Sequence, residues 1–150
     1  MSDHHSVNII MIEDDDGHAR LIEKNIRRAG ISNQIHHFSD GTSALQFLYE
    51  HPSGPAHNGP ALILLDLNLP DMSGTDILTR FKAEESPLKR TPVIVLTTTD
   101  DKVEIQRCYE LGCNVYITKP VNYESFAEAI RQLGLFLSVI QVPDLVRVDV

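Results

Sequence analysis

Four short runs of aliphatic residues, each closed by a polar or charged side chain, constrain this chain more than any other feature. They are VNIIMI at residues 7–12, ALILL at 61–65, VIVL at 93–96 and VYI at 115–117. A surface helix would space its apolar residues three and four apart, and a half-exposed strand would alternate them. Near-continuous runs of this length, rich in Val, Ile and Leu, suit strands buried on both faces of a parallel sheet. A weaker run, QIHHF at 34–38, is a candidate fifth strand.

Between these runs the spacing turns helical. Leu21, Ile22, Ile26 and Ala29 share the stripe of a first helix that Gly30 would close. Asp40 or Thr42 can cap a second, carrying Ala44, Leu45 and Leu48. Ser73 precedes a third, with Ile77, Leu78 and Phe81 inward; Asp100 opens a fourth that stops at Gly112, and Asn122 opens a fifth. Residues 51–60 hold Pro and Gly without periodicity and read as an exposed loop. Five strand-then-helix alternations in a chain of 150 residues predict one domain of the α/β class. The expected fold is a flavodoxin-like, doubly wound, five-stranded parallel sheet of order 2-1-3-4-5 with five helices. Residues 1–6 are expected to be a disordered terminus, 7–140 the domain and 141–150 a C-terminal tail.

In open α/β sheets, ligands bind beyond the carboxyl ends of the strands. The first run ends in Glu13-Asp14, ALILL in Asp66, VIVL in Thr97 and the last strand in Lys119. On the expected sheet these residues converge on one edge. Carboxylates gathered there repel each other unless a cation lies between them. Mg²⁺ fits, because it takes one or two carboxylates and completes its shell with waters and phosphate oxygens. The set has the parts for phosphoryl transfer onto a carboxylate. Asp66 would be the nucleophile, and Mg²⁺, Lys119 and Thr97 would neutralise charge on the transferring oxygens. An ionised nucleophile needs no general base.

The segments IIMIEDDD, LILLDLNLPDMSG, VIVLTTTDD and YITKP resemble, in order and spacing, the signatures of two-component response-regulator receivers. The resemblance runs from residue 7 to about 137. It implies Asp66 as phosphoacceptor, Asp14 as direct metal ligand, Glu13 acting through water, and Asn68 binding the metal by its backbone carbonyl. It further implies Thr97 as switch hydroxyl, Lys119 as the partner of the phosphate, and Tyr116 as an aromatic switch that turns inward when Thr97 moves. Lys119-Pro120 matches a peptide bond usually cis in the family, and Pro70 and Gly74 match the turn after the acceptor. The donor would be a phosphohistidine on a sensor histidine kinase, docking near the first helix. Asp15 and Asp16 enlarge the acidic cluster beyond the family's pair, so their role is open. TPVIVLTTTDD, CYELGCNVYITKPV and AIRQLGLF resemble single-domain regulators that partner phytochrome kinases.

Composition narrows the alternatives. A net charge of −8 without a Lys/Arg cluster argues against nucleic-acid binding. No apolar stretch approaches a membrane span and residues 1–5 lack a signal-peptide shape, so a cytoplasmic protein is expected. Cys108 and Cys113 suggest neither a disulfide framework nor a zinc site and read as a packing residue and an incidental thiol. His4, His5, His36, His37, His51 and His57 lack ligand spacing. In the last helix, Phe126, Ile130, Leu133 and Leu137 would face the sheet, yet Leu135, Phe136, Val139 and Ile140 add apolar surface on other sides. Such a helix is normally covered; a homodimer interface is expected, with packing of the tail at residues 142–150 as the alternative.

Three rival functions share parts of the pattern. A phosphatase of the haloacid dehalogenase type also uses an aspartate nucleophile, but on its first strand and with a second acid two residues on, where Asn68 stands here. The expectation is therefore a signalling phosphoacceptor and not a turnover enzyme. A receiver-like module that is never phosphorylated would not require the complete set of site residues. A flavodoxin would need a phosphate-cradling loop after the first strand, where this chain is acidic.

Overall fold

The aliphatic runs form the three inner strands and one edge strand of a single parallel sheet in a computed structural model, which describes residues 7–119 except 29, 53, 59, 60 and 99, together with residues 124 and 128. The strands are β1 (Asn8–Ile12), β2 (Ile35–Phe38), β3 (Ala61–Asp66), β4 (Val93–Thr97) and β5 (Val115–Thr118). Every ladder is parallel and the order is β2-β1-β3-β4-β5, as expected from the sequence. Alternate residues go to opposite faces. Ile9, Met11, Leu62, Leu64, Ile94 and Leu96 pack with Ala19, Ile22 and Ile26 of helix α1 (Asp16–Arg28). Their neighbours Ile10, Ile12, Ile63, Leu65, Val93 and Val95 pack under α2 (Gly41–Glu50), α4 (Gly74–Phe81) and α5 (Lys102–Leu111). Burial on both faces is what removed alternation from the strand sequences.

Several details depart from the sequence reading. Leu21 is 42 % exposed, and the buried stripe of α1 is Ala19, Ile22, Asn25 and Ile26. Successive helical residues lie about 100° apart, so Leu21 and Ile22 cannot share one stripe centre. Ala29 lies outside the described residues. Asp40, not Thr42, caps α2 by accepting from the Ser43 amide at 2.7 Å, and Asp101, not Asp100, caps α5 through the Val103 amide at 2.9 Å. The expected loop at 51–60 contains a single turn, α3 (Pro55–Asn58), begun by the one residue whose fixed φ suits a first helical position. The expected fifth helix falls outside the described residues apart from helical backbone at residues 124 and 128. The chain's first six residues, its tail and Leu135, Phe136, Val139 and Ile140 also lie outside them.

The two cysteines both have a packing role. Gly112, at φ 110°, ends α5, and the Cys113 and Gly112 amides donate to Cys108 and Tyr109 carbonyls at 3.0 Å. This bonding pattern brings together the side chains five apart that bracket it, here two buried thiols. Burial pushes Cys113 up to about 12, so it is an inert filler. The turn delivers the chain straight into β5.

Candidate functional site

The parallel register aligns the strand ends. Ile12 lies opposite Leu65, Asp66 opposite Leu96, and Thr97 opposite Thr118. Glu13, Asp66, Thr97 and Lys119 therefore emerge on one edge, and the Lys119 amide donates to the Thr97 carbonyl at 2.7 Å. Glu13, Asp66 and Thr97 are the buried polar residues at these strand ends, at 0, 2 and 1 % exposure. Such groups persist in a core only when partnered.

Lys119 partners two of them. Its Nζ lies 2.6 Å from Glu13 Oε1 and 3.3 Å from Asp66 Oδ2, with only 7 % of the side chain exposed. The other Asp66 oxygen accepts from the Asn68 amide at 3.1 Å. Burial pushes the Asp66 carboxyl up to about 6; the Asn68 amide pulls it down, the nearby Glu13 charge raises it again, and Lys119 lowers it. Near neutral pH Asp66 is thus mainly ionised, although it is harder to ionise than a surface aspartate. Glu13 Oε2 accepts from the Asp15 amide at 3.0 Å.

These residues fit a divalent cation. Oxygens of Glu13, Asp14 and Asp66 all lie within 4.8 Å of one another. Among the described residues one ammonium faces these three carboxylates, and no donor is aligned on buried Glu13 Oε1 despite its close ion pair with Lys119. An all-oxygen, net-negative donor set suits hard ions. Asp14 is the exposed member of the trio, so its oxygens are open to a ligand, while Glu13 is buried with Oε2 taken by the Asp15 amide. The exposed Asn68 follows Asp66 in a tight turn that bridges to Ser73.

The surplus acids are accounted for. Asp15 accepts from the His18 amide at 2.8 Å and caps α1; that amide bond is the chief reason its carboxyl is held low. Asp16 lies in the first turn of α1, where a negative charge meets the helix dipole. Neither belongs to the carboxylate trio. Asp71, from the turn after the acceptor, reaches across to α2 and accepts from the Gly41 and Thr42 amides at 2.9 and 2.8 Å. With the Thr42 hydroxyl (2.5 Å) as the chief cause, its carboxyl is held down at about 2. The sequence reading missed this clamp, whose one trace is an acid inside a Pro/Gly turn.

Thr97 and Tyr116 are directly coupled, since the Thr97 hydroxyl hydrogen-bonds the Tyr116 phenol. Burial is the main cause that pushes this phenol up to about 12. Two histidines overlooked as site residues also belong here. His37 Nε2 lies 2.6 Å from the Glu13 carbonyl, which makes it the donor. His18 Nδ1 lies 3.4 Å from Lys119 Nζ and 3.9 Å from Glu13 Oε2. His18 lies in the first turn of α1, four residues beyond Asp14.

Comparison with known proteins bears on the fold and the family. The sequence profile of the response regulator receiver domain matches residues 9–131. A receiver domain from Rhodospirillum rubrum, solved by crystallography, is 66 % identical, with a TM-score of 0.73, over 89 % of this chain and 94 % of that one. The bacteriophytochrome response regulator RtBRR is 34 % identical, with a TM-score of 0.75, over 86 % of this chain and 78 % of its own. Response regulator Rcp1 of Synechocystis is 32 % identical over 90 % of this chain and 92 % of its own. The solved Rcp1 structure holds Mn²⁺ and superposes with a TM-score of 0.67 over 87 % of this chain and 93 % of that one, at 33 % identity. A profile match over most of the length, joined to close relatives of the same fold, leaves one assignment: the chain belongs to the response regulator receiver family, the signalling domains that take up a phosphoryl group on an aspartate.

Proposed function

We propose that Asp66 is the phosphoacceptor of a two-component pair and takes its phosphoryl group from a phosphohistidine on a sensor histidine kinase. The observation that carries this reading is a buried, mainly ionised aspartate set between a lysine and two further carboxylates at the open end of a parallel sheet. An Asp66 carboxylate oxygen attacks phosphorus. The bond from phosphorus to the donor imidazole breaks, and the imidazole leaves with the electron pair and takes up a proton. Asp14, Asp66 and the Asn68 carbonyl, with Glu13 acting through water, would hold Mg²⁺, which would supply positive charge to the phosphoryl oxygens.

Lys119, already beside Asp66, pairs with the new phosphoryl group, and the Thr97 hydroxyl turns to donate to it. That movement breaks the Thr97–Tyr116 bond and frees the ring to reorient, which changes the face built by α5 and β5. Hydrolysis of the acyl phosphate resets the domain. The protein turns over no external substrate: Asn68 stands where a phosphatase of the dehalogenase type needs its acid.

The resemblance to RtBRR supports a phytochrome-type kinase as donor. The receiver runs over residues 7–140 and works in the cytoplasm, where such kinases present their phosphohistidine. The net charge of −8 favours protein partners over nucleic acid. A homodimer forms through Leu135, Phe136, Val139 and Ile140; Phe136→Asp should yield monomers by light scattering, and an unchanged mass would remove the dimer.

The central test is labelling with acetyl phosphate and Mg²⁺. Mass spectrometry should place one phosphoryl group on Asp66, and Asp66→Asn should take up none. Full incorporation in that variant would dismiss Asp66.

A further inference from the structure

We infer that His18 is a positioning residue for phosphoryl transfer, holding the Lys119 ammonium on the open side of the pocket. The inference rests on the reading of Asp66 as phosphoacceptor.

An ammonium has three N–H donors. Lys119 Nζ has three acceptors within reach: Glu13 Oε1 at 2.6 Å, Asp66 Oδ2 at 3.3 Å and His18 Nδ1 at 3.4 Å. The first two are buried carboxylates. The third belongs to a side chain that is 48 % exposed, so it pulls from the solvent side. A lysine only donates, so the contact requires the imidazole tautomer with a bare Nδ1. Nδ1 is nearer to Lys119 than to Glu13 Oε2, at 3.9 Å, which favours the lysine as its partner.

The geometry sets the direction of the effect. The close contact of Lys119 is with Glu13, the carboxylate that does not receive phosphorus. To meet the incoming group, the ammonium must move outward, away from Glu13. His18 opposes the inward pull and keeps the ammonium near the path it must take, a saving in reorganisation of the kind that raises kcat and not binding. The backbone of His18 is fixed separately: its amide is held by the Asp15 cap at 2.8 Å. Truncating the exposed ring therefore leaves the helix start in place.

The test compares His18→Ala and His18→Gln with the wild type. Each full chain is labelled with acetyl phosphate at saturation, over a range of Mg²⁺ concentrations. The alanine variant should label about fivefold more slowly at saturating donor, in line with one long hydrogen bond to a charged group. The glutamine variant, whose amide oxygen can accept from Lys119, should recover most of the rate. Half-saturating Mg²⁺ should stay the same in all three, because His18 is outside the carboxylate trio. An alanine variant as fast as wild type, or a glutamine variant as slow as alanine, would overturn the inference. A wild type that takes no label would instead remove the phosphoacceptor reading beneath it.

Discussion

Replacing Asp66 by Asn should stabilise the metal-free fold at neutral pH while abolishing its function. The carboxyl's folded value lies near 6 against 3.8 ordinarily. Because the folded state holds the proton more tightly, stability falls as pH rises through that window. At about pH 7.5 ionising Asp66 has cost the wild type roughly 3 kcal/mol, since each tenfold change in proton affinity is worth ~1.4 kcal/mol. At about pH 4 the cost is only ~0.5 kcal/mol, because the folded carboxyl is already protonated. Asparagine never ionises, keeps an oxygen for the Asn68 amide, and leaves Lys119 paired with Glu13. Urea unfolding followed by circular dichroism, with a chelator present, should give a variant about 2–3 kcal/mol more stable near neutrality and little different in acid. A variant no more stable at neutral pH, or a gain that does not shrink on acidification, would refute the burial argument.

Gly74→Ala should destabilise strongly, by about 2 kcal/mol or more in chemical unfolding. Its Cβ would fall 2.5 Å from Leu67 Cα and 2.7 Å from the Asp66 carbonyl oxygen, both rigid backbone. Lys119→Met leaves Glu13 and Asp66 without their buried cation and should cost about 3 kcal/mol in metal-free protein at neutral pH. Added Mg²⁺ should restore part of that loss in a thermal melt. The Asp71 carboxyl is held low, so its stabilising effect is present above the ordinary carboxylate range and lost as pH falls towards 2. Asp71→Asn should lower the melting temperature at neutral pH, and the difference from wild type should vanish in strong acid.

The sheet was legible because two-sided burial writes itself as unbroken aliphatic runs, and the site was legible because polar residues close those runs. Asp66, Thr97 and Lys119 needed only the strand order to be brought together. Helix details were harder. Leu21 and Ile22 are equally apolar, and only packing decides which one the core receives. Asp100 and Asp101 are equally good caps, and only the backbone path separates them. His18, His37 and Asp71 carry no period and close no run. Each acts across a gap in sequence, as when His18 meets Lys119 from the opposite end of the described chain, and no spacing rule encodes such a meeting.

The ion pair between Glu13 and Lys119 joins the turn after the first strand to the residue that leaves the last. A chain emerging from synthesis has its acidic residues long before the lysine that offsets them, so no incomplete chain carries a working pocket. Assembly of the charged edge thus waits on the last strand, because the cation that offsets Glu13 and Asp66 arrives only with Lys119.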